Sequence, residues 1–152
     1  MPYKKLPNGK GSIKVIVGSF EDINSVIPSY SKQFLFHIHL EPGAVFDIDI
    51  ADKLEVAAFL PERLGIINNE KFNAGDFVEF DRNEGSIEIE NTNTEAIDIL
   101  LFGGETYQEP IFAEGPFVMN SKLDIANAYR DYFNGRYGKI DYDKQRLAPW
   151  KV

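Results

Sequence analysis

The sequence predicts an all-β barrel or sandwich followed by one C-terminal α-helix, and three observations carry that reading. From Gly11 to about Ile111, short runs alternate apolar and polar residues with a period of two, the mark of strands with one buried face. Gly, Pro, Asn and Asp interrupt those runs at regular spacing, as in sandwiches and barrels. The period changes to that of a helix only over about 121–134.

The elements follow in order. Ile13, Val15 and Val17 alternate with Lys14 and Ile16 before Gly18. Ser19 to Ser31, containing Asn24-Ser25 and Pro28-Ser29, reads as a loop. In the next strand Phe34, Phe36, Ile38 and Leu40 face one way, while Leu35, His37, His39 and Glu41 face the other. Glu41-Pro42-Gly43-Ala44 is a tight turn, with Pro setting one φ and Gly free to take a positive one, and it predicts a hairpin. Beyond it Phe46, Ile48 and Ile50 alternate with Asp47 and Asp49, and the apolar run Leu54 to Leu60 predicts a strand covered on both faces.

Arg63 to Ile67 reads as a short strand stopped by Asn68-Asn69, a pair tolerant of left-handed turn conformations. Asn73-Ala74-Gly75-Asp76 is a further turn, and Phe77 to Phe80 a further strand. After a polar loop over Asp81 to Gly85, Ile87 and Ile89 alternate with Glu88 and Glu90. Asn91 to Glu95 turns the chain, and Ile97 to Phe102 runs to Gly103-Gly104, read as a strand-end turn. Ser121 with Asp124 fits a capping box; Ile125, Ala128, Tyr129, Tyr132 and Phe133 share one helical stripe; Gly135 stands where a left-handed C-terminal cap belongs.

At 152 residues the chain is sized for one domain and can bury roughly two thirds of its unfolded surface. Its 12 Phe and 7 Tyr suit sheets with large rings between them. With no Cys, disulfides, thiolate metal sites and cysteine nucleophiles drop out. A net charge of -8 argues against direct nucleic-acid binding, which draws on clustered Lys and Arg. The basic residues that do gather, Lys4, Lys5 and Lys10 at one end and Arg136, Lys139, Lys144, Arg146 and Lys151 at the other, read as solvated tails. No eighteen apolar residues run together and the first residues carry no apolar signal core, so a cytoplasmic protein with no membrane contact is expected. The expected organisation is an N-terminal arm over 1–10, a domain over 11–140 with its helix at about 121–134, and a tail over 141–152.

One block is more specific. Glu109-Pro110-Ile111 through Gly115-Pro116-Phe117-Val118-Met119-Asn120, followed by Asn134-Gly135-Arg136-Tyr137-Gly138, resembles the closing signature of the pirin family. Upstream, Ile13 to Gly18, His39-Leu40-Glu41-Pro42-Gly43-Ala44 and Leu100-Leu101-Phe102-Gly103-Gly104-Glu105 resemble, in order, further stretches of the C-terminal half of a pirin. The resemblance implies a single cupin, a double-stranded β-helix or jelly-roll barrel, with one terminal helix. Pirins resemble two cupins in tandem, and the family's non-haem iron belongs to the other half, held by an H-x-H pair and a distant H-x-E pair. Nothing here matches that second pair, and Asp52 to Asn73 contains no His.

The candidate metal ligands are therefore His37, His39 and Glu41, at i, i+2 and i+4 on one strand face. Same-face neighbours stand about 6 to 7 Å apart along a strand, too far for three to enclose one ion unaided. No cofactor is expected, with Fe(II) the ion if this trio were to bind one. The acidic pairs Asp47/Asp49, Glu79/Asp81 and Glu88/Glu90 read as solvent-facing strand positions, and no nucleophile elbow, P-loop or dinucleotide fingerprint is present. Tyr129, Tyr132, Phe133 and Tyr137, with Trp150 nearby, are the interface candidates. The expected function is a non-catalytic, metal-free structural or protein-interaction module, partnered by a second copy of itself or by a separate metal-bearing cupin chain. The alternatives are a quercetinase-type dioxygenase, which the resemblance implies, and a small-ligand-binding barrel.

Overall fold

A computed structural model describes residues 1–7 and 9–140, in two units that divide between Thr106 and Tyr107. The domain expected over 11–140 is thus split, and the tail expected over 141–152, with Lys144, Arg146, Trp150 and Lys151, lies outside the described residues. The first unit contains β1 (Tyr3–Lys5), β2 (Gly11–Val17), β3 (Ser19–Phe20), β4 (Ile23–Asn24), β5 (Gln33–Leu40), β6 (Val45–Ile50) and β7 (Leu54–Phe59). It continues with β8 (Gly65–Ile67), β9 (Glu70–Phe72), β10 (Phe77–Glu79), β11 (Gly85–Glu90) and β12 (Ile97–Glu105). The second holds β13 (Phe112–Glu114), β14 (Phe117–Met119) and α1 (Lys122–Phe133).

Two antiparallel sheets build the first unit, in the orders β1-β2-β5-β12-β7-β10 and β6-β11-β8-β9. Period-two alternation gives each sheet an apolar inner face, and register aligns those faces across strands. Ile38 of β5 lies between Ile13 of β2 and Ile99 of β12, and Phe36 lies between Val15 and Leu101. In the other sheet Phe46 pairs with Ile89 and Ile48 with Ile87. These side chains merge into one core. Phe20 joins it, its ring centroid 5.9 Å from those of both Phe36 and Phe46, one in each sheet. Strand β7 is covered fully on one face only: Val56 and Ala58 face the core, whereas on the opposite side Ala57 is buried but Glu55 is exposed and Phe59 half-buried.

Four local expectations change. The first ten residues are more than an arm, because Tyr3–Lys5 pairs with β2 and Leu6 enters the core. The loop over Ser19 to Ser31 contains the small β3–β4 hairpin. Gly103 and Gly104 lie inside β12, where a Cβ on Gly104 would stand 2.8 Å from the Lys32 carbonyl oxygen, so glycine serves close strand approach. Most informative, the turn over 41–44 forms, with the Ala44 N–H donating to Glu41 O at 3.0 Å and Gly43 at φ 70°, yet no hairpin follows. Strands β5 and β6 belong to different sheets, so the turn is a corner.

Asn91 explains that corner. Its N–H donates to Ala44 O and its carbonyl accepts from Gly43 N, both at 2.9 Å, so the turn residues pair with Asn91 instead of with β5. Its side chain is fully buried and fully used. Nδ2 donates to Leu40 O and Glu95 O at 2.9 Å each, while Oδ1 accepts from the backbone and side-chain nitrogens of Asn93, also at 2.9 Å. By contrast Asn68-Asn69 does make a true two-residue hairpin, with φ of 48° and 67°, and it creates β9, a strand the pattern alone did not announce.

In the second unit the β13–β14 hairpin packs against α1. Ser121 caps the helix by accepting from Asp124 N at 3.1 Å, and its hydroxyl donates to the Asp124 carboxylate at 2.6 Å, a variation on the expected box. Gly135 takes φ 72°, as a left-handed cap requires. Among the described residues no helix is long and apolar enough to cross a membrane.

Replacing Asn91 by Ala strands the Leu40 and Glu95 carbonyls in a buried site. Urea denaturation should show a loss of roughly 3 kcal/mol, with Asn91→Asp at least as damaging because a carboxylate cannot donate to either carbonyl. A loss below about 0.5 kcal/mol for Asn91→Ala would contradict the role given to this side chain.

Candidate functional site

The interior of the barrel is the first place to look for chemistry, and it is hydrocarbon. Phe36, Ile38 and Leu40 from β5, Ile97, Ile99 and Leu101 from β12, and Phe46, Ile67 and Ile89 from the facing sheet are each at most 3% exposed. Among the described residues Asn91 is the sole buried polar side chain, and its bonds are spent on turns. Among the described residues no acid, base or ligand group is buried in this space.

His37 and His39 lie on the opposite, outer face of β5, because they alternate with the buried Phe36, Ile38 and Leu40. The residue that joins them comes from the neighbouring strand. Asp98 of β12 stands in register with His39, and its Oδ1 lies 2.7 Å from His37 Nε2 and 3.0 Å from His39 Nδ1. Glu41 Oε1 is 3.6 Å from His39 Nε2. The linear trio His37, His39 and Glu41 is therefore replaced by a relay, Glu41 to His39 to Asp98 to His37. Sequence reading missed Asp98 because only strand register reveals it. From β2, Lys14 stands opposite His37 and Ser12 opposite His39.

This arrangement does not fit an iron centre. The two ring nitrogens converge on one carboxylate oxygen instead of on a shared open point, and no group of three or more His, Asp or Glu among the described residues is placed to hold an ion. What the relay can do is titrate. The hydrogen bond to Asp98 is the main influence on His39 and raises its pKa; burial opposes this, and the charges of Asp98 and Glu41 add to the rise. For Asp98, burial pushes upward, but hydrogen bonds and charge from His39 and His37 together hold the carboxyl below its ordinary value.

The interface candidates gather in the second unit around a residue absent from that set. Phe117, in the turn-proximal end of β14, has ring centroids of Tyr129, Tyr132 and Tyr137 at 5.0, 6.4 and 6.0 Å. Phe133 extends the cluster, 6.3 Å from Tyr129 and 5.6 Å from Tyr132. The helical stripe is only partly covered: Ile125 and Ala128 are buried, while Tyr132 is 59% exposed, Phe133 79% and Tyr137 59%. Trp150 lies outside the described residues.

The relay carries a pH dependence of defined sign. Stabilisation through His39, whose folded pKa is raised, is complete below its unfolded value of about 6.5 and lost as pH rises through the folded one. Stabilisation through Asp98, whose folded pKa is lowered, is present above about 3.9 and lost as pH falls through the folded value. The two overlap between about pH 4 and 6.5. Histidine NMR should show His39 titrating above 6.5 and falling back in Asp98→Asn. The melting-temperature difference between wild type and Asp98→Asn should be larger near about pH 5.5 than near about pH 8.5. An unchanged His39 titration in the variant would show that the relay does not form in solution.

Comparisons with known proteins agree with the fold. Residues 35–138 match the pirin C-terminal cupin domain. Over 137 residues the chain is 26% identical to a Pseudomonas aeruginosa protein provisionally named a quercetin 2,3-dioxygenase, covering 90% of this chain and 47% of that protein. It is 27% identical to Pirin-1 of Arabidopsis thaliana, covering 83% of this chain and 45% of the relative. The crystal structure of a quercetin 2,3-dioxygenase from Acinetobacter baumannii superposes with a TM-score of 0.81 at 23% identity, over 92% of this chain and 48% of that one, which establishes the cupin fold. The chain thus spans about half the length of the relatives it matches. With the jelly-roll strand order, the corner over 41–44 and the match over 35–138 all in agreement, the chain belongs to the pirin family, through that family's C-terminal cupin domain.

Proposed function

We propose that this chain is a non-catalytic, metal-free cupin domain that works in the cytoplasm as a structural or protein-interaction module, docking a second cupin barrel. The observation that carries the reading is the aromatic face of the second unit. Tyr132, Phe133 and Tyr137 are 59%, 79% and 59% exposed, and their rings gather around Phe117 in one cluster of the aromatic kind enriched at interfaces. The hydrocarbon interior supports the non-catalytic part, since the space that a reaction would need is filled by Ile, Leu and Phe. The partner first in line is another copy of this chain, and a separately encoded metal-bearing cupin is the other. Support for a barrel as partner comes from the relatives, whose matched segment makes up about half of each.

A second reading, a quercetinase-type dioxygenase, draws on the names of the Pseudomonas and Acinetobacter proteins. One pair of measurements separates the two. Light scattering on the purified chain should give a dimer that dissociates in the Tyr132→Ser, Phe133→Ser double variant while its circular dichroism is retained. Oxygen uptake with quercetin and added Fe(II) should stay at background. A strict monomer at every concentration that also captures no cupin partner from its native host overturns the docking reading, and oxygen uptake abolished by His37→Ala transfers the case to the dioxygenase.

A further inference from the structure

In an antiparallel sheet with one face on the core, the positions between the buried ones meet water and are normally polar. The six-stranded sheet follows that rule at its β1–β2 end, where Lys5 and Lys14 face outward. From β5 to β10 it does not. Register sets two adjacent outward rows there: His37, Leu100, Phe59 and Phe77 in one, and Leu35, Phe102, Ala57 and Glu79 in the other. Six of these eight positions are apolar, where water contact alone would favour polar side chains. The Phe77 and Phe102 rings, from the strands on either side of β7, stand 5.8 Å apart between centroids, which the small Ala57 of the intervening strand permits. Phe77 is 59% exposed, and Leu35, Leu100, Phe102 and Phe59 are half-buried. A contiguous apolar patch of this kind marks an interaction surface.

Charge distinguishes the margin of this patch from that of the aromatic face in the second unit. Beside the apolar rows stands Glu79, exposed and without an ion pair among the described residues. Arg130 precedes Phe133 by three residues and so lies on its side of α1; it too is exposed and unpaired among the described residues. Lys139, two residues beyond Tyr137, is a second exposed and unpaired cation, whereas Arg136 is bound to Asp131. Two aromatic faces pressed together would set these cations against their own copies. The sheet face offers them a carboxylate instead.

From this we infer that the aromatic face of one copy of this chain packs on the outer face of the six-stranded sheet of a second copy, which returns the contact. The inference rests on the self-association reading above and names the surface that receives Tyr132, Phe133 and Tyr137. Those rings cover Leu100, Phe102, Phe59 and Phe77 of the other copy, a helix laid on a sheet as in layered folds. Arg130 reaches Glu79 of the other copy at the rim. Two-fold symmetry makes the contact twice and closes the assembly at two chains, which leaves no such face to extend a filament. Burial of the apolar rows supplies the attraction, and the rim charges set the orientation.

The chain has no Cys, so introduced ones report neighbours without background. Arg130→Cys and Glu79→Cys versions, carrying tags of different mass, are mixed and treated with a short bismaleimide. The mixed product should dominate over either like-with-like product. In analytical ultracentrifugation, Glu79→Arg and Arg130→Glu should each weaken self-association roughly fivefold, and both reversals in one chain should restore it. Both positions are exposed, and circular dichroism checks that each variant is folded. Cross-links only between Arg130→Cys copies, together with reversals that fail to rescue one another, overturn the inference and leave self-association through the aromatic face standing. A strict monomer overturns it as well, and the reading of a docking module then turns on capture of a separate cupin.

Discussion

The barrel depends on one buried amide. Asn91 sits where the corner over 41–44, the end of β5 and the turn before β12 come together, and it bonds to all three. A polar side chain without any exposure is costly unless each of its groups is paired, and here each is. Because the pairing requires all three segments at once, Asn91 couples the two sheets more directively than hydrophobic contact does. Aliphatic packing rewards closeness of any kind, whereas an amide rewards one geometry.

The same physics divides function-bearing groups from the core. On β5 one face is committed to hydrocarbon contact, so any chemistry the strand carries is displaced to the outer face. There His37, His39 and Asp98 form a half-exposed relay whose charges are screened by water, which suits it to modest pH-dependent stabilisation. In the second unit the imbalance runs the other way. A two-strand hairpin is too small to cover a three-turn helix, and the aromatic stripe outruns it after Tyr129.

Much of this was legible in the residues. Alternation identified the inner faces of β2, β5, β6 and β11, because one buried face forces period two. The helix with its Ser121 start and Gly135 stop was equally plain, since caps are local chemistry. Less was visible where local signals have two outcomes. Glu41-Pro42-Gly43-Ala44 encodes a turn, but a turn is compatible with a hairpin or a corner, and its choice lies with Asn91, about fifty residues away. Gly103-Gly104 looks like punctuation and is in fact strand, because the carbonyl that crowds Gly104 belongs to Lys32.

By itself, then, the sequence determined the strand faces, the terminal helix, the lack of any thiol chemistry and the kinship to pirins, each of which rests on residues close together along the chain. Tertiary structure alone decided that His37 and His39 share Asp98, that Phe117 centres the aromatic face, and that a cleft over Ile67, Phe72 and Val78 opens between β9 and β10. Those are matters of register and of which strand edges meet. They depend on contacts between distant segments, whose pairing no local period or turn signal specifies.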